Sequence, residues 1–360
     1  MNRIQGFQAA RGIACLSIVI AHHAYLLEIA YGLTPASALD YPGRYGMLQL
    51  TSIFFVLCGF FVTKTVLSLK ENSNPVRFLF KRMIRLYPMY WLAIGFCCIL
   101  RLCAFGVATV GETKYFLRGL LLLSDGSYFL NGEWTMVYDL VLYALSSIFA
   151  NTHLKRFYPV AVLGWGGVII FSIMQGRLTG IDLSMPAILT NVNMLGYVVG
   201  MLLYILHGCL QKLRIPDARI ESINWAAIFT VSIVLMVFRI EIINTNTIYQ
   251  ILLYYAVVFV AMVSAMNLPL SSKNVLVKLG DHSFGIYLLH FTVGGIITTA
   301  LKDYLPVLVN GGIAICCSVL VGYAFDSFGN EFGKMVGSEC KTLESKLAIN
   351  IGLKRKGRKG

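Results

Sequence analysis

Two side chains capable of proton and anion chemistry open the chain. Arg11 and His22 are eleven residues apart, beside and within a largely apolar segment from Gly12 to Ala30. Eleven residues make about three helical turns and about 16.5 Å of rise, so both would share one helix face, with His23 pointing away from it. Histidine is the usual general base near neutral pH. The plainer alternative for His22 is a helix-packing histidine hydrogen-bonded to a neighbour. A second constellation is Arg82 and Arg85, whose i,i+3 spacing puts both guanidinium groups on one face. The planar fork of arginine binds phosphate oxygens in pairs, which suits a phosphorylated cofactor, although anchoring charges at a membrane boundary would look the same. Pro88, just after them, suits a helix start or a kink. A third is Asp139 in Trp134-Thr135-Met136-Val137-Tyr138-Asp139, read as the only acid deep in an apolar run. A carboxylate there needs a cation, a hydrogen-bonding cluster or water. Trp134 and Tyr138 read as interfacial anchors. His290, two turns into a late apolar segment, is the last polar intrusion.

Lipid-exposed helices must position these groups. The chain has 360 residues, of which 57% are hydrophobic and 13% charged, and its mean hydropathy is +0.72. Soluble domains carry charge on about a quarter of their residues. Apolar runs near the ~20 residues needed to cross a bilayer recur along the sequence. They predict an all-α polytopic bundle of about ten spans: Gly12–Ala30, Gly46–Leu67, Leu86–Val107, Trp134–Ala150, Tyr158–Met174, Ala187–Leu206, Trp225–Arg239, Ile248–Met266, Phe284–Leu301 and Val307–Phe325. Trp225–Arg239 is short for a span. Tyr115–Leu123, with Lys114 and Arg118 beside or within it, reads as an interfacial or re-entrant helix. Residues 1–330 form the membrane domain and 331–360 a basic cytoplasmic tail. The first apolar segment has no small-residue cleavage site and is expected to be retained.

With the N-terminus inside, 23 of the 30 lysines and arginines fall on cytoplasmic segments, the pattern of the positive-inside rule. Both termini are then cytoplasmic, with Arg11, Arg82, Arg85 and His290 toward the cytoplasm, Asp139 toward the outside and His22 between. The net charge of +13 is largely this topology, compatible with anionic lipid and giving little reason to propose nucleic acid. Nine cysteines without a CxxC pair read as small buried hydrophobes, and no metal site is expected.

Five short segments in order resemble the acyltransferase-3 family of bacterial membrane acyltransferases, especially its exopolysaccharide- and O-antigen-acetylating branch. Phe7 to His23 is similar to its opening Arg–ten residues–His motif, and Phe54–Phe60 to its FFVLSGF segment, with Cys58 in place of Ser. Arg82 to Trp91 is similar to its RxxR and YW region. Trp134 to Tyr143 resembles its WTLxYE…FY motif, and Leu279 to His290 its closing LG…H motif. The resemblance implies acyl transfer, normally of acetyl, from cytoplasmic acyl-CoA to a hydroxyl of a glycan or lipid-linked glycan, in a multi-pass protein of the bacterial inner membrane. His22 would be the catalytic histidine, deprotonating the acceptor or carrying the acyl group. Arg11 would assist it, and Arg82 and Arg85 would grip the cofactor's phosphates. Asp139 stands where the family usually has Glu, one methylene longer. His23, Trp134, Tyr138 and His290 are substrate-facing or structural polar positions. A transporter or flippase for a glycan or lipid is the competing class; no repeat between halves and no paired broken spans favour it.

Overall fold

The lengths of the apolar runs set the architecture. The computed structural model describes residues 3–33, 47–69, 74–106, 113–123, 130, 132–151, 153–176, 184–210, 218–238 and 248–356. Gly46, Val107, Arg239, Lys212, Arg214 and the end of the tail from Gly357 lie outside them. The described residues form helices α1 (Gln5–Tyr31), α2 (Thr51–Leu67), α3 (Pro75–Phe105), α4 (Thr113–Leu120), α5 (Glu133–Ile148), α6 (Tyr158–Met174), α7 (Met185–Thr190), α8 (Leu195–Leu210), α9 (Ala218–Phe238), α10 (Ile248–Asn267), α11 (Val275–Asp281), α12 (Ser283–Leu301) and α13 (Val307–Lys356). Seven of the helical segments are long and apolar enough to cross a membrane, and two shorter apolar helices, Val192–His207 and Glu221–Val237, accompany them. The chain is an all-α, polytopic membrane bundle.

Three expected boundaries shift, two of them for identifiable reasons. Helix α3 begins eleven residues before the apolar run, because Asn74 caps it by accepting from the backbone N–H groups of Val76 and Arg77. Pro88 therefore lies inside a continuous 31-residue helix rather than at its start. Helix α9 starts two turns earlier than expected and has 21 residues. The expected span Ala187–Leu206 is broken at Asn191, whose backbone is extended between α7 and a turn of 3-10 helix, Val192–Met194. A break in lipid is tolerated only if the released carbonyls find donors. Here Trp165 Nε1 donates to Leu189 O at 2.7 Å and the Tyr255 hydroxyl to Val192 O at 3.0 Å.

Small residues bring the helices that carry the polar groups together. Gly12 of α1 and Gly280 of α11 sit so close to backbone of the other helix that neither site has room for a Cβ. Gly285 of α12 and Gly322 of α13 repeat the arrangement. Without a hydrophobic drive between helices in lipid, such backbone approach is a main source of packing energy.

Candidate active site

One face of α2 builds the floor of a cavity. Thr51, Phe54, Phe55, Cys58 and Phe61 recur at helical spacing and line a space of ≈ 280 Å³ closed by α1, α3, α5, α11, α12 and α13. Arg11, Arg82, Arg85, Asp139, Asp281 and Asp326 place their ionisable groups on its wall. A second cavity of ≈ 690 Å³ lies where α2 ends and α3 begins, lined by Lys64, Arg77, Lys81, Arg82 and Arg85 with no acid among its lining residues. Phe61, Arg82 and Arg85 belong to both walls. The first cavity is charge-balanced, whereas the second is a concentrated positive field suited to a polyanion.

Two of the three arginines in the first cavity, Arg11 and Arg82, are held by neighbours. Arg11 donates through Nη2 to Ser283 Oγ at 3.0 Å and through Nη1 to Gln8 Oε1 at 3.3 Å. Arg82 donates through Nη2 to Thr65 Oγ1 at 2.6 Å and lies over the rings of Tyr143 (5.4 Å) and Phe78 (5.6 Å). On the opposite wall the Tyr197 hydroxyl donates to Asp139 Oδ1 at 2.6 Å, and the Cys58 thiol to the Tyr143 hydroxyl at 3.5 Å. The structure thus brings Arg11, Arg82, Arg85 and Asp139 around one space. Asp139 does not stand apart toward the far side: α5 is only 16 residues long, so its seventh residue already reaches the arginines' cavity.

The histidines form a separate cluster. His22 does not line either cavity; its Nδ1 lies 2.7 Å from His290 Nε2. Tyr287, three residues before His290, lines the first cavity with its ring and accepts from His290 Nδ1 at its carbonyl, 2.7 Å away. It therefore stands between the cavity and the histidine pair. His290 belongs with His22 rather than nearer the cytoplasmic face, because α1 and α12 run side by side in the same direction, touching at Arg11–Ser283 and again at His22–His290.

A family model described as an acyltransferase domain, Acyl_transf_3, matches residues 4–326. The chain belongs to this family. It is also 26% identical over 176 residues to the Exopolysaccharide production protein ExoZ of Rhizobium meliloti (strain 1021), an overlap covering 46% of this chain and 53% of that protein. The chain thus spans about half the length of this curated relative. No solved structure matches significantly.

Family membership gives the quoted segments a common place: Arg11, Cys58, Arg82, Arg85, Asp139, Tyr143 and Tyr287, from all five, line one cavity. Tyr138, expected at an interface, is instead fully buried against Phe55 and Trp134. Trp134 is half-buried beside it and lines neither cavity. His23 is fully buried too, with Nδ1 donating to Val19 O at 2.7 Å and Nε2 2.9 Å from Ser318 Oγ. Asp139, itself half-buried, is not the only acid inside the bundle. Glu133 is fully buried, its Oε1 accepting from Leu130 N at 2.7 Å. Asp326, 3% exposed, accepts from Gly285 N at 3.0 Å and Asn330 Nδ2 at 2.7 Å and faces His282 Nδ1 at 3.1 Å. Both adjoin an expected span, one residue outside it, where a charge reads as the end of the helix.

Proposed function

We propose that this protein is a membrane O-acyltransferase that moves an acetyl or similar short acyl group from cytoplasmic acyl-CoA to a hydroxyl of a cell-surface glycan or its lipid-linked precursor. The observation that carries the reading is the pair of adjacent cavities that share Arg82 and Arg85 as lining residues. The outer, acid-free cavity suits the phosphates of a nucleotide-bearing thioester, and the inner, partly apolar one suits its arm. Family membership and the likeness to an exopolysaccharide production protein support the acyl chemistry and a glycan acceptor. The protein is then a multi-pass protein of the bacterial inner membrane, with Arg82 and Arg85 binding the phosphates and Arg11 at the entrance below His22.

In this reading the thioester end reaches His22 past Tyr287 from the cavity side, and the hydroxyl reaches it from the other. Purified protein given labelled acetyl-CoA and surface glycan is expected to put covalent label on the glycan, and His22→Ala is expected to abolish it. In cells whose only copy is His22→Ala, mass spectrometry of the polysaccharide should lack the acetyl increment. Full acetylation in that strain would overturn the mechanism.

A further inference from the structure

We infer that His290 is the positioning residue that fixes which nitrogen of His22 reacts, an inference that rests on the acyl transfer proposed above. The argument is a chain of hydrogen-bond polarities. A backbone carbonyl only accepts, so the 2.7 Å contact of His290 Nδ1 with Tyr287 O puts a proton on Nδ1. A neutral imidazole has one proton, so Nε2 of His290 carries a lone pair. That lone pair meets His22 Nδ1 at 2.7 Å, and His22 Nδ1 must be the donor. Neutral His22 is thereby held as the Nδ1–H tautomer, with its lone pair on Nε2. The opposite assignment requires a doubly protonated His290, a cation at 1% exposure beside two other histidines within a membrane span.

The ring geometry agrees. The two planes are 14° apart with centroids 5.0 Å apart. The centroid separation exceeds the nitrogen–nitrogen distance by about two ring radii, so the imidazoles meet edge to edge and the N–H points along the lone pair. Phe291 stands edge-on to His22 at 5.7 Å and 86°, and Ser318 Oγ lies 3.2 Å from the His290 carbonyl. His290 thus occupies the place that a carboxylate takes beside the histidine of hydrolytic triads, as a neutral acceptor.

The arrangement serves both routes open to His22. As a base, His22 Nε2 takes the acceptor's hydroxyl proton while the oxygen bonds to the thioester carbonyl carbon. The carbon–sulfur bond breaks and the proton passes from Nε2 to the thiolate. As a nucleophile, Nε2 bonds to the acyl carbon and the thiolate leaves; the hydroxyl then takes the acyl group, and its proton goes to the thiolate. In both, the Nδ1–H stays on His22 and remains donated to His290 while the ring is positive.

The test compares His290→Gln, which keeps a neutral acceptor near the Nε2 position, with His290→Leu, which keeps bulk but cannot accept. His290→Leu is expected to lower kcat by about a hundredfold with little change in KM for acetyl-CoA, the scale on which orienting partners of reactive groups act. His290→Gln should restore at least a tenth of wild-type kcat. Equal losses in the two variants, or a kcat for His290→Leu within twofold of wild type, would overturn the inference. If His22→Ala is inactive at the same time, the acyl-transfer reading stands without it; if His22→Ala is fully active, that reading falls first. Should the variants fold poorly, nitrogen-15 spectra of wild-type protein in nanodiscs, assigned by difference from His22→Gln, decide alone. His22 with protonated Nδ1 and bare Nε2 is expected, and the reverse tautomer overturns it.

Discussion

At the scale of single residues, Arg82 shows why charge type matters as much as charge sign. Its guanidinium donates to Thr65 while lying over Tyr143 and Phe78, so one planar group bridges both cavities. Lysine keeps the charge but loses the fork and most of the stacking. Arg82→Lys is therefore expected to raise KM for acetyl-CoA about tenfold, about 1–2 kcal/mol, with a smaller change in kcat; steady-state kinetics in detergent or nanodiscs measure the split. Opposite it, Tyr197→Phe removes the hydroxyl that donates to Asp139. The expected cost is about 1–3 kcal/mol, read as a lower thermal midpoint, because the carboxylate loses a charge-assisted bond in a poorly hydrated site. Arg11, Arg82, Arg85 and Asp139 were legible in the sequence because a charge inside an apolar run stands out. Asp326 and Glu133 were not, since each adjoins such a run and looks like its boundary. The His22–His290 contact joins residues 268 apart, and only the packing of α1 on α12 could reveal it.

At the scale of elements, α3 does two jobs with one motif. Arg82 and Arg85 face the cavities, while Tyr87, Tyr90 and Trp91 turn to α4 and donate to the carbonyls of Leu121, Gly119 and Leu120, each at 2.8 Å. These carbonyls lie at and just beyond the end of an eight-residue helix, which has few internal bonds of its own; Gly119 O also accepts from Leu122 N at 2.9 Å. The aromatic run beside the arginines thus docks a short helix that would not persist alone. The double variant Tyr87→Phe, Tyr90→Phe keeps the rings and strips two donors; Leu121 O is left bare at about 1–3 kcal/mol, whereas Gly119 O keeps its bond from Leu122 N. Hydrogen exchange over residues 113–123 is expected to quicken in it, while exchange in α12 stays at the wild-type rate; unchanged protection over 113–123 would show that α4 is held by packing alone. Hydropathy located these helices because it measures how much apolar chain is present. It could not foresee the break at Asn191, because what permits it is the placement of Trp165 and Tyr255 on other helices.

At the scale of the whole molecule, the number of crossings turns on α5, which carries Asp139. The seven long helices and two shorter ones would by themselves leave the termini on opposite sides. Helix α5 has 16 residues, about 24 Å of rise against a hydrocarbon core of about 30 Å, and two acids. Contacts nevertheless fix its sense. Phe55 packs on Trp134 and Tyr138, and Cys58 reaches Tyr143, so α5 runs beside α2 and in the same direction. Helices α1 and α12 are also parallel, whereas α12 and α13 are antiparallel, with Gly285 against Asp326 and His290 against Ser318. Arg3 pairs with Asp281 and His282 faces Asp326, which gathers the starts of α1 and α12 and the middle of α13 at one end. If every long helix crosses, that arrangement implies an even number of spans, and counting α5 would make ten. A nine-span chain would put at most 19 of the 30 basic residues inside, and only with Arg11, Arg82 and Arg85 on the outer side, away from cytoplasmic acyl-CoA. Reporter fusions at the N-terminus and after the tail are therefore expected to give cytoplasmic signals at both ends. A periplasmic signal at one end alone would remove α5 from the count, and periplasmic signals at both would put the arginine-lined cavities on the wrong face for acyl-CoA.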